Sequence, residues 1–319
     1  MKVAAIVVNY RTAELTARVV TALLAELDRF EGAHVFLVDN ASGDDSLPYF
    51  RQAALRDGWG TRVTLVASER NGGYGYGINL AVLRAQEMPE AADYFYVLNS
   101  DAFADPGTVA RLVDYLDAHP QTGIAGGRIH DPDGVTLVTA FRFPNPLGEL
   151  ETMVRTGVLS QLLRAWIVSM PEPQSSGEVD WVSGTSMLIR RCAFEELGGF
   201  DEGFFLYFEE TDFCHSARLR GWKTAFVKDA PVTHLGSVST GVSNHTRRIP
   251  RYWFESRHRY LRKHSGLAYT VLCDCAWLLG LLIWRLRTLL KFRPAQNRPR
   301  LLRDFLASSF RDLLGGRKP

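Results

Sequence analysis

The sequence predicts an α/β fold: a doubly wound, mostly parallel sheet with a C-terminal helical extension. Three observations predict it. Short apolar runs alternate with helix-periodic segments from Val3 to Ala118. The runs are continuous rather than alternating, as in strands buried on both faces. Several stop at an acidic or amide residue (Asn9, Asp39 and the turn Asn99-Ser100-Asp101), where open α/β sheets bind ligands.

The elements follow in order. Val3–Val8 reads as a six-residue strand rather than a signal peptide. Thr12–Phe30 carries helical spacing at Leu15, Val19, Leu23 and Leu27, with Thr12 as cap. Val35–Val38 is a second strand, Ser46–Arg56 a helix and Val63–Val66 a third strand. Tyr76–Gln86 is a helix entered through a glycine-rich turn. Tyr94–Leu98 is a fourth strand. Pro106–Ala118 is a helix, with Asp105-Pro106 as its cap and first residue. From Phe141 to Gly177 the pattern loosens around several prolines. Asp180–Arg190 is a strand pair broken at Gly184, Cys192–Leu197 a short helix, Glu209–Arg220 a helix and Thr224–Val227 a strand. Leu235–His245 is Ser-, Gly- and Thr-rich and reads as a mobile loop. Pro250 onward is helical, and Leu267–Leu290 is strongly apolar.

The 319 residues, 46% hydrophobic, can bury a sizeable core in one large domain or one domain with appendages. A net charge of only +2 argues against a nucleic-acid binder. From Arg247 onward basic residues far outnumber acidic ones, which suits an anionic partner near the C-terminus. The four cysteines form no CxxC pair, as expected of a reduced, cytosolic protein.

Four segments carry chemistry. Asp39, at the end of the second strand, suits a nucleoside N–H or ribose hydroxyl, and equally an Asx turn into a helix. Arg70-Asn71-Gly72-Gly73-Tyr74-Gly75-Tyr76-Gly77-Ile78-Asn79 puts glycines at a helix entry. There backbone N–H groups can approach an anion, or a helix can pack closely on a strand. A Rossmann dinucleotide site fits poorly, since no glycines follow the first strand and the spacing is not G-x-G-x-x-G. Glu209, Glu210 and Asp212 follow the aromatic run Phe204–Phe208. Apolar surroundings would raise a carboxylate towards a useful general base, while acidic residues also simply complement a helix dipole. His234 ends a strand, and a neutral imidazole there could complete a Mg²⁺ or Mn²⁺ site begun by Asp101.

Together these segments resemble an inverting family 2 glycosyltransferase of the GT-A fold. The resemblance is closest to the rhamnosyltransferase-like members that build bacterial surface polysaccharides. It covers Val3 to Gly241 through Val7-Val8-Asn9-Tyr10, Val38-Asp39-Asn40-Ala41-Ser42, Asn71-Gly72-Gly73 with Asn79, Asn99-Ser100-Asp101, Trp181-Val182-Ser183-Gly184-Thr185 and Phe208-Glu209-Glu210-Thr211-Asp212. The resemblance implies that Asn9, Asp39, Asn71, Gly72, Gly73 and Asn79 serve the nucleotide sugar. Asn99-Ser100-Asp101 would be the DXD-type motif, with Asn in place of the first Asp, so Asp101 and His234 would carry the metal. Glu210 matches the catalytic base, Glu209 is its alternative, and Trp181 and Gly184 would line the acceptor side. It also divides the chain into a transferase domain, 1–246, and an extension, 247–319. The domain has a nucleotide-binding half, 1–125, and an acceptor and catalytic half, 126–246.

The expected reaction moves a sugar, best guessed as rhamnose, from a dTDP- or UDP-linked donor to a glycan or polyprenyl-diphosphate-linked acceptor. Configuration inverts in a single displacement. Leu267–Leu290 has no uninterrupted apolar run long enough to span a bilayer. It reads as an interfacial helix whose basic flank, through Lys291, Arg293, Arg298 and Arg300, suits anionic headgroups, or as a dimerisation or core-covering helix. The expected location is the inner face of the cytoplasmic membrane. Two rivals remain: a sugar nucleotidyltransferase, and a glycan-binding pseudoenzyme of the same fold.

Overall fold

The computed structural model describes residues 1–154, 156–236, 248–290 and 298–315. The N-terminal part alternates as expected: β1 (Val3–Asn9), α1 (Ala13–Glu26), β2 (His34–Asp39), α2 (Ser46–Arg56), β3 (Val63–Ala67), α3 (Tyr74–Gln86) and β4 (Tyr94–Asn99). Then come β5 (Ala102–Ala104), α4 (Thr108–Ala118), β6 (Thr122–His130), β7 (Ala140–Phe141), α5 (Pro146–Val154) and α6 (Gly157–Leu162). The chain continues through β8 (Gly177–Val179), β9 (Trp181–Val182), β10 (Ser186–Arg190), α7 (Arg191–Leu197), α8 (Glu209–Leu219) and β11 (Lys223–His234). It ends with α9 (Arg251–Leu290) and α10 (Leu301–Gly315). Most of the expected Leu235–His245 loop, and Lys291 and Arg293, lie outside the described residues.

Two compact units result. The first holds Met1–Phe141, Pro171–Phe205 and Glu209–Thr240. Its main sheet runs β3-β2-β1-β4-β10-β6-β11-β5, with β8 also on β11. The first four strands are parallel, as is β6 with β11, while β10 runs antiparallel to both its neighbours. Its core joins the central strands to the helices through residues such as Ala5, Val7, Val20, Leu37, Tyr96 and Leu112.

Three details depart from expectation. Strand β6 is not among the expected elements, and its Gly123, Gly126 and Gly127 weaken any strand signal. Each is demanded by packing: a Cβ at Gly127 would lie 2.0 Å from Ala230 O, one at Gly126 2.7 Å from Val182 Cβ, and one at Gly123 2.9 Å from Ala193 Cβ. Helix α4 begins at Thr108, after Gly107, and its free N–H groups are capped by Glu26 of α1. The Glu26 carboxylate accepts from Gly107 N at 2.8 Å and Val109 N at 2.9 Å. Strand β11 continues past Val227 through an irregularity to His234, which pairs in register with Ala102 of β5.

The second unit holds Arg142–Met170, Leu206–Phe208 and Gly241–Pro319. Helix α9 is broken at Gly266, where φ is +77°. Beyond the break one stripe (Thr270, Cys273, Trp277, Gly280, Leu281) is buried. Gly280 admits α5, since a Cβ there would lie 2.6 Å from Leu150 O. Trp277 stacks on Phe305 of α10 at 3.9 Å. By length and composition α9 is a helix that could cross a membrane.

Candidate functional site

The site is built at the carboxyl ends of β1, β2 and β4. Asn9 and Asp39 are register partners there. Asn9 is fully buried, and its Nδ2 donates to Asp39 Oδ1 at 2.9 Å and Ser42 Oγ at 3.1 Å. Its Oδ1 accepts from Thr16 Oγ1 at 2.9 Å. Ser42 Oγ also donates to Asp39 at 2.5 Å. Asn9 therefore orients the Asp39 loop. Neighbouring Asn40 donates to Gly73 O at 2.9 Å and to Asn71 Oδ1 at 3.2 Å, which ties the second strand's loop to the glycine turn. Its own Oδ1 is buried with no partner among the described residues.

The glycine turn serves close approach more than anion binding. Gly73 has φ of +97°, and a Cβ there would lie 2.0 Å from Phe205 O. Tyr74 N donates to that same carbonyl at 3.0 Å. The Gly73 N–H is engaged by Asn71 Oδ1 at 3.1 Å, so it is not free for a phosphate. At Gly72 a Cβ would run into the Tyr76 ring. Asn79 is engaged elsewhere: it donates to Phe200 O at 2.8 Å and accepts from Phe200 N at 2.8 Å, pinning the turn that leads towards α8.

After β4 the chain turns through Asn99-Ser100-Asp101. Asp101 is almost fully buried, and His234 Nε2 lies 3.1 Å from its Oδ1. The β5–β11 pairing makes this meeting across a sequence separation of 133 residues. Ser100 is buried beside Thr12, whose hydroxyl is 3.4 Å away. Among the described residues no cluster of three or more His, Cys, Asp or Glu is placed to hold a metal. One buried carboxylate with one imidazole is nevertheless a fitting donor pair for a hard divalent cation that takes its remaining ligands from phosphate oxygens and water.

Glu209 opens α8. The residues before it, Tyr207 and Phe208, both have φ of +68°, a left-handed backbone that costs about 1–3 kcal/mol per non-glycine residue. Such strain marks a position fixed by its surroundings. The Oε2 atoms of Glu209 and Glu210 are both buried with no partner among the described residues. Burial, then the Glu210 charge, pushes Glu209 well above the ordinary carboxyl range. Burial also raises Glu210, against the pull of backbone N–H groups at Glu210, Gly184 and Thr211. Burial therefore disfavours a charge on either carboxyl, and the Glu210 charge adds to this at Glu209, so the pair resists carrying two charges. Glu210 Cβ lies 3.6 Å from where a Gly184 Cβ would stand, which puts the Gly184 turn within van der Waals reach of Glu210. Trp181 stacks on Phe141 at 3.9 Å, on the short β7–β9 ribbon.

Tyr74 joins the two halves of this arrangement. Its hydroxyl donates to Asn99 Oδ1 at 2.7 Å and lies 3.3 Å from Gly184 O. Burial, then Glu209, Glu210 and Asp101, pushes its pKa far up, so it stays a neutral donor.

Comparison with known proteins decides what this arrangement belongs to. A profile described as "Glycosyltransferase like family 2" matches residues 1–265. The chain belongs to this family. It is 30% identical over 275 residues to the N-acetylglucosaminyl-diphospho-decaprenol L-rhamnosyltransferase of Mycobacterium tuberculosis, covering 81% of each chain. The Rhamnosyltransferase WbbL of Escherichia coli is 24% identical, over 61% of this chain and 72% of its own. A mannosyltransferase from Pyrobaculum calidifontis, solved with GDP-Man and Mn²⁺, superposes with a TM-score of 0.60 at 14% identity, covering 99% of this chain and 88% of that one. The fold is GT-A, and the protein is a glycosyltransferase.

Within that family frame, the sequence did not single out Tyr74 or Asn40. Asn40 adjoins Asp39, but its open acceptor is visible only in three dimensions. Tyr74 looks like one more aromatic in a glycine-rich run. Its partner explains why Asn stands at the first position of the Asn99-Ser100-Asp101 turn. Asn99 accepts from Tyr74 and donates to Thr185 Oγ1 at 3.4 Å, which a carboxylate could not do.

Proposed function

We propose that the protein transfers a deoxyhexose, best guessed as rhamnose, from a dTDP- or UDP-linked donor to a hydroxyl of a lipid-linked diphosphate glycan, with inversion. The observation that carries this is the adjacent carboxylates Glu209 and Glu210, each with a buried Oε2 atom that has no partner among the described residues, with Glu210 beside the Gly184 turn. A partly desolvated carboxylate with no counter-ion is a general base in waiting. Glu210 takes the proton of the acceptor hydroxyl. The acceptor oxygen forms its bond to the anomeric carbon as the bond from that carbon to the diphosphate breaks on the opposite face. Asp39 and Asn40 Oδ1 accept from nucleoside donors, with Asn9, Asn71, Gly72 and Gly73 holding that wall. Asn79 positions the approach to α8. Asn99 and Ser100 set the turn that carries Asp101, and Trp181 with Gly184 borders the acceptor. Asp101 and His234 would hold a Mg²⁺ or Mn²⁺ ion, which when bound neutralises the leaving diphosphate. The relatives' names, which specify rhamnose and a diphospho-decaprenol acceptor, support the donor and acceptor assignments.

The test is transfer to a short polyprenyl-diphosphate acceptor across a panel of nucleotide sugars, read by mass spectrometry. Product from a dTDP- or UDP-deoxyhexose, lost with EDTA and restored by Mn²⁺, supports the reading. Donor hydrolysis alone with every acceptor, or transfer indifferent to Asp101→Asn, would contradict it.

We place the transferase in 1–246 and a membrane-facing extension in 247–319. Leu272, Leu279 and Leu286, spaced by seven residues on α9, are each about half exposed or more. Set against the stripe buried on α5 and α10, they give α9 an outward apolar face suited to lying in a bilayer interface at the cytoplasmic side. Leu279→Gln with Leu286→Gln should reduce flotation with vesicles of any headgroup, and unchanged flotation would remove this part of the proposal.

A further inference from the structure

The second unit contains a cavity of about 450 Å³ that the transfer chemistry does not use. Its lining includes Arg248, Arg251, Arg303, Arg311, Asp304 and Ser308. The volume is that of a small-molecule site. Four guanidinium groups and one carboxylate give it a strong positive bias. Three of the four arginines are held by partners. Buried Asp304 grips Arg248 through Nε and Nη2, which leaves Nη1 outside that pairing. Arg311 Nε is fixed to Ala307 O at 2.8 Å. Arg251 Nε meets Glu255 at 2.5 Å. Arg303 has no hydrogen bond or ion pair among the described residues. Preset guanidinium forks converging on one cavity are suited to phosphate oxygens.

A second observation indicates where that phosphate comes from. On α10 the exposed residues Arg303, Ala307, Phe310, Arg311 and Leu314 share one face. Phe310 is 59% exposed and Leu314 87%. Large exposed apolar side chains beside arginines are the composition of a helix lying in a membrane interface. We propose that this cavity recognises the phosphate of an anionic phospholipid headgroup, with Phe310 and Leu314 entering the acyl boundary. The inference rests on the membrane reading above and adds a specific site to it. A general basic surface would attract the same lipids diffusely, whereas this site concentrates the effect in Arg303 and Arg311.

Flotation of the full chain tests it, using vesicles of phosphatidylcholine alone or mixed with phosphatidylglycerol. The wild type should prefer the anionic vesicles. Arg303→Gln with Arg311→Gln should weaken that binding roughly thirtyfold, from two basic contacts at the surface. Both residues are exposed, and an unchanged melting temperature checks that the variant folds. Arg164→Gln with Arg51→Gln, both exposed and outside the cavity, should lose less than about threefold, since charge alone is spread over the surface. Equal losses in the two double variants would overturn the site. A titration with inorganic phosphate separates the sources. Phosphate protection against unfolding that vanishes with Arg303→Gln and Arg311→Gln, while vesicle binding stays intact, would assign the cavity to a free anion and overturn the lipid assignment. If the wild type floats on neither vesicle, the membrane reading fails and this inference falls with it. If it floats on both equally, the membrane reading survives and the headgroup site does not.

Discussion

The protein buries carboxylates in two regions and treats them in opposite ways. In the second unit Arg257 is fully buried between Glu149, at 2.9 Å, and Asp274, at 2.5 Å, and His258 also reaches Asp274 at 3.0 Å. Burial alone would raise Asp274, but the His258 hydrogen bond and the Arg257 charge outweigh it and hold the carboxyl at about 2. At the entry to α8, Glu209 is buried and Glu210 half-buried, neither has an ion-pair partner among the described residues, and both are raised. Burial is common to both places and the counter-charge is not. One group is neutralised for stability, and the other is left in tension where a base is needed.

The largest effect should come from breaking that tension. Glu210→Gln is expected to lower kcat by about 10²–10⁴-fold, the usual worth of a general base, while nucleotide affinity stays within experimental error of wild type. Glu209→Gln should cost less than about tenfold, because burial and the Glu210 charge already favour the neutral form that an amide imitates. Reversed sensitivities, measured in steady-state transfer, would exchange the two roles. Both variants should also be more stable than the wild type at neutral pH. A carboxyl raised by folding contributes stability only at low pH and loses it as pH rises through the folded value.

Next in size is the paired cluster. Arg257→Met removes the cation and leaves two carboxylates buried, with an expected loss of about 3–5 kcal/mol in urea unfolding. Its pH signature has the opposite sign to that of the α8 pair. Asp274 is depressed on folding, so its contribution is complete above about pH 4 and lost as pH falls towards 2, a change of roughly 2–3 kcal/mol. Asp274→Asn should flatten that part of the acid-unfolding curve. An acid limb that survives in Asp274→Asn would place its origin in another group.

These two regions were not equally legible in sequence. The carboxylates of the α8 entry follow an aromatic run and lie in a motif, so their chemistry could be read locally. The meeting of Asp101 with His234 could be suggested from residue type and strand ends, but its geometry depends on β11 reaching past its irregularity to β5. Arg257 and Glu149 are 108 residues apart, and no local pattern announces their contact. The same holds for Glu26 capping α4 and for the glycines of β6, whose need is visible only once their neighbours are known. What stayed hidden in each case was a tertiary contact that overrides local propensity.

The smallest predicted effect tests the link between the Asp101 turn, proposed to hold a metal, and Glu210, the proposed base. Tyr74 touches Asn99 and Gly184, and so holds the Asp101 turn and the Glu210 turn at a fixed separation. Tyr74→Phe keeps the ring and removes only the hydroxyl, leaving the Asn99 oxygen without its donor. One lost buried hydrogen bond is worth about 1–2 kcal/mol, or roughly a tenfold loss in kcat/KM. A positioning role predicts that the loss falls on kcat and on the Mn²⁺ concentration needed for half activity, with KM for the acceptor little changed. A purely structural role predicts a lower melting temperature with an unaltered metal requirement. Asn99→Asp sharpens the distinction: a carboxylate there still accepts from Tyr74 but cannot donate to Thr185, so the Tyr74 half of the link survives and its effect should be the milder of the two.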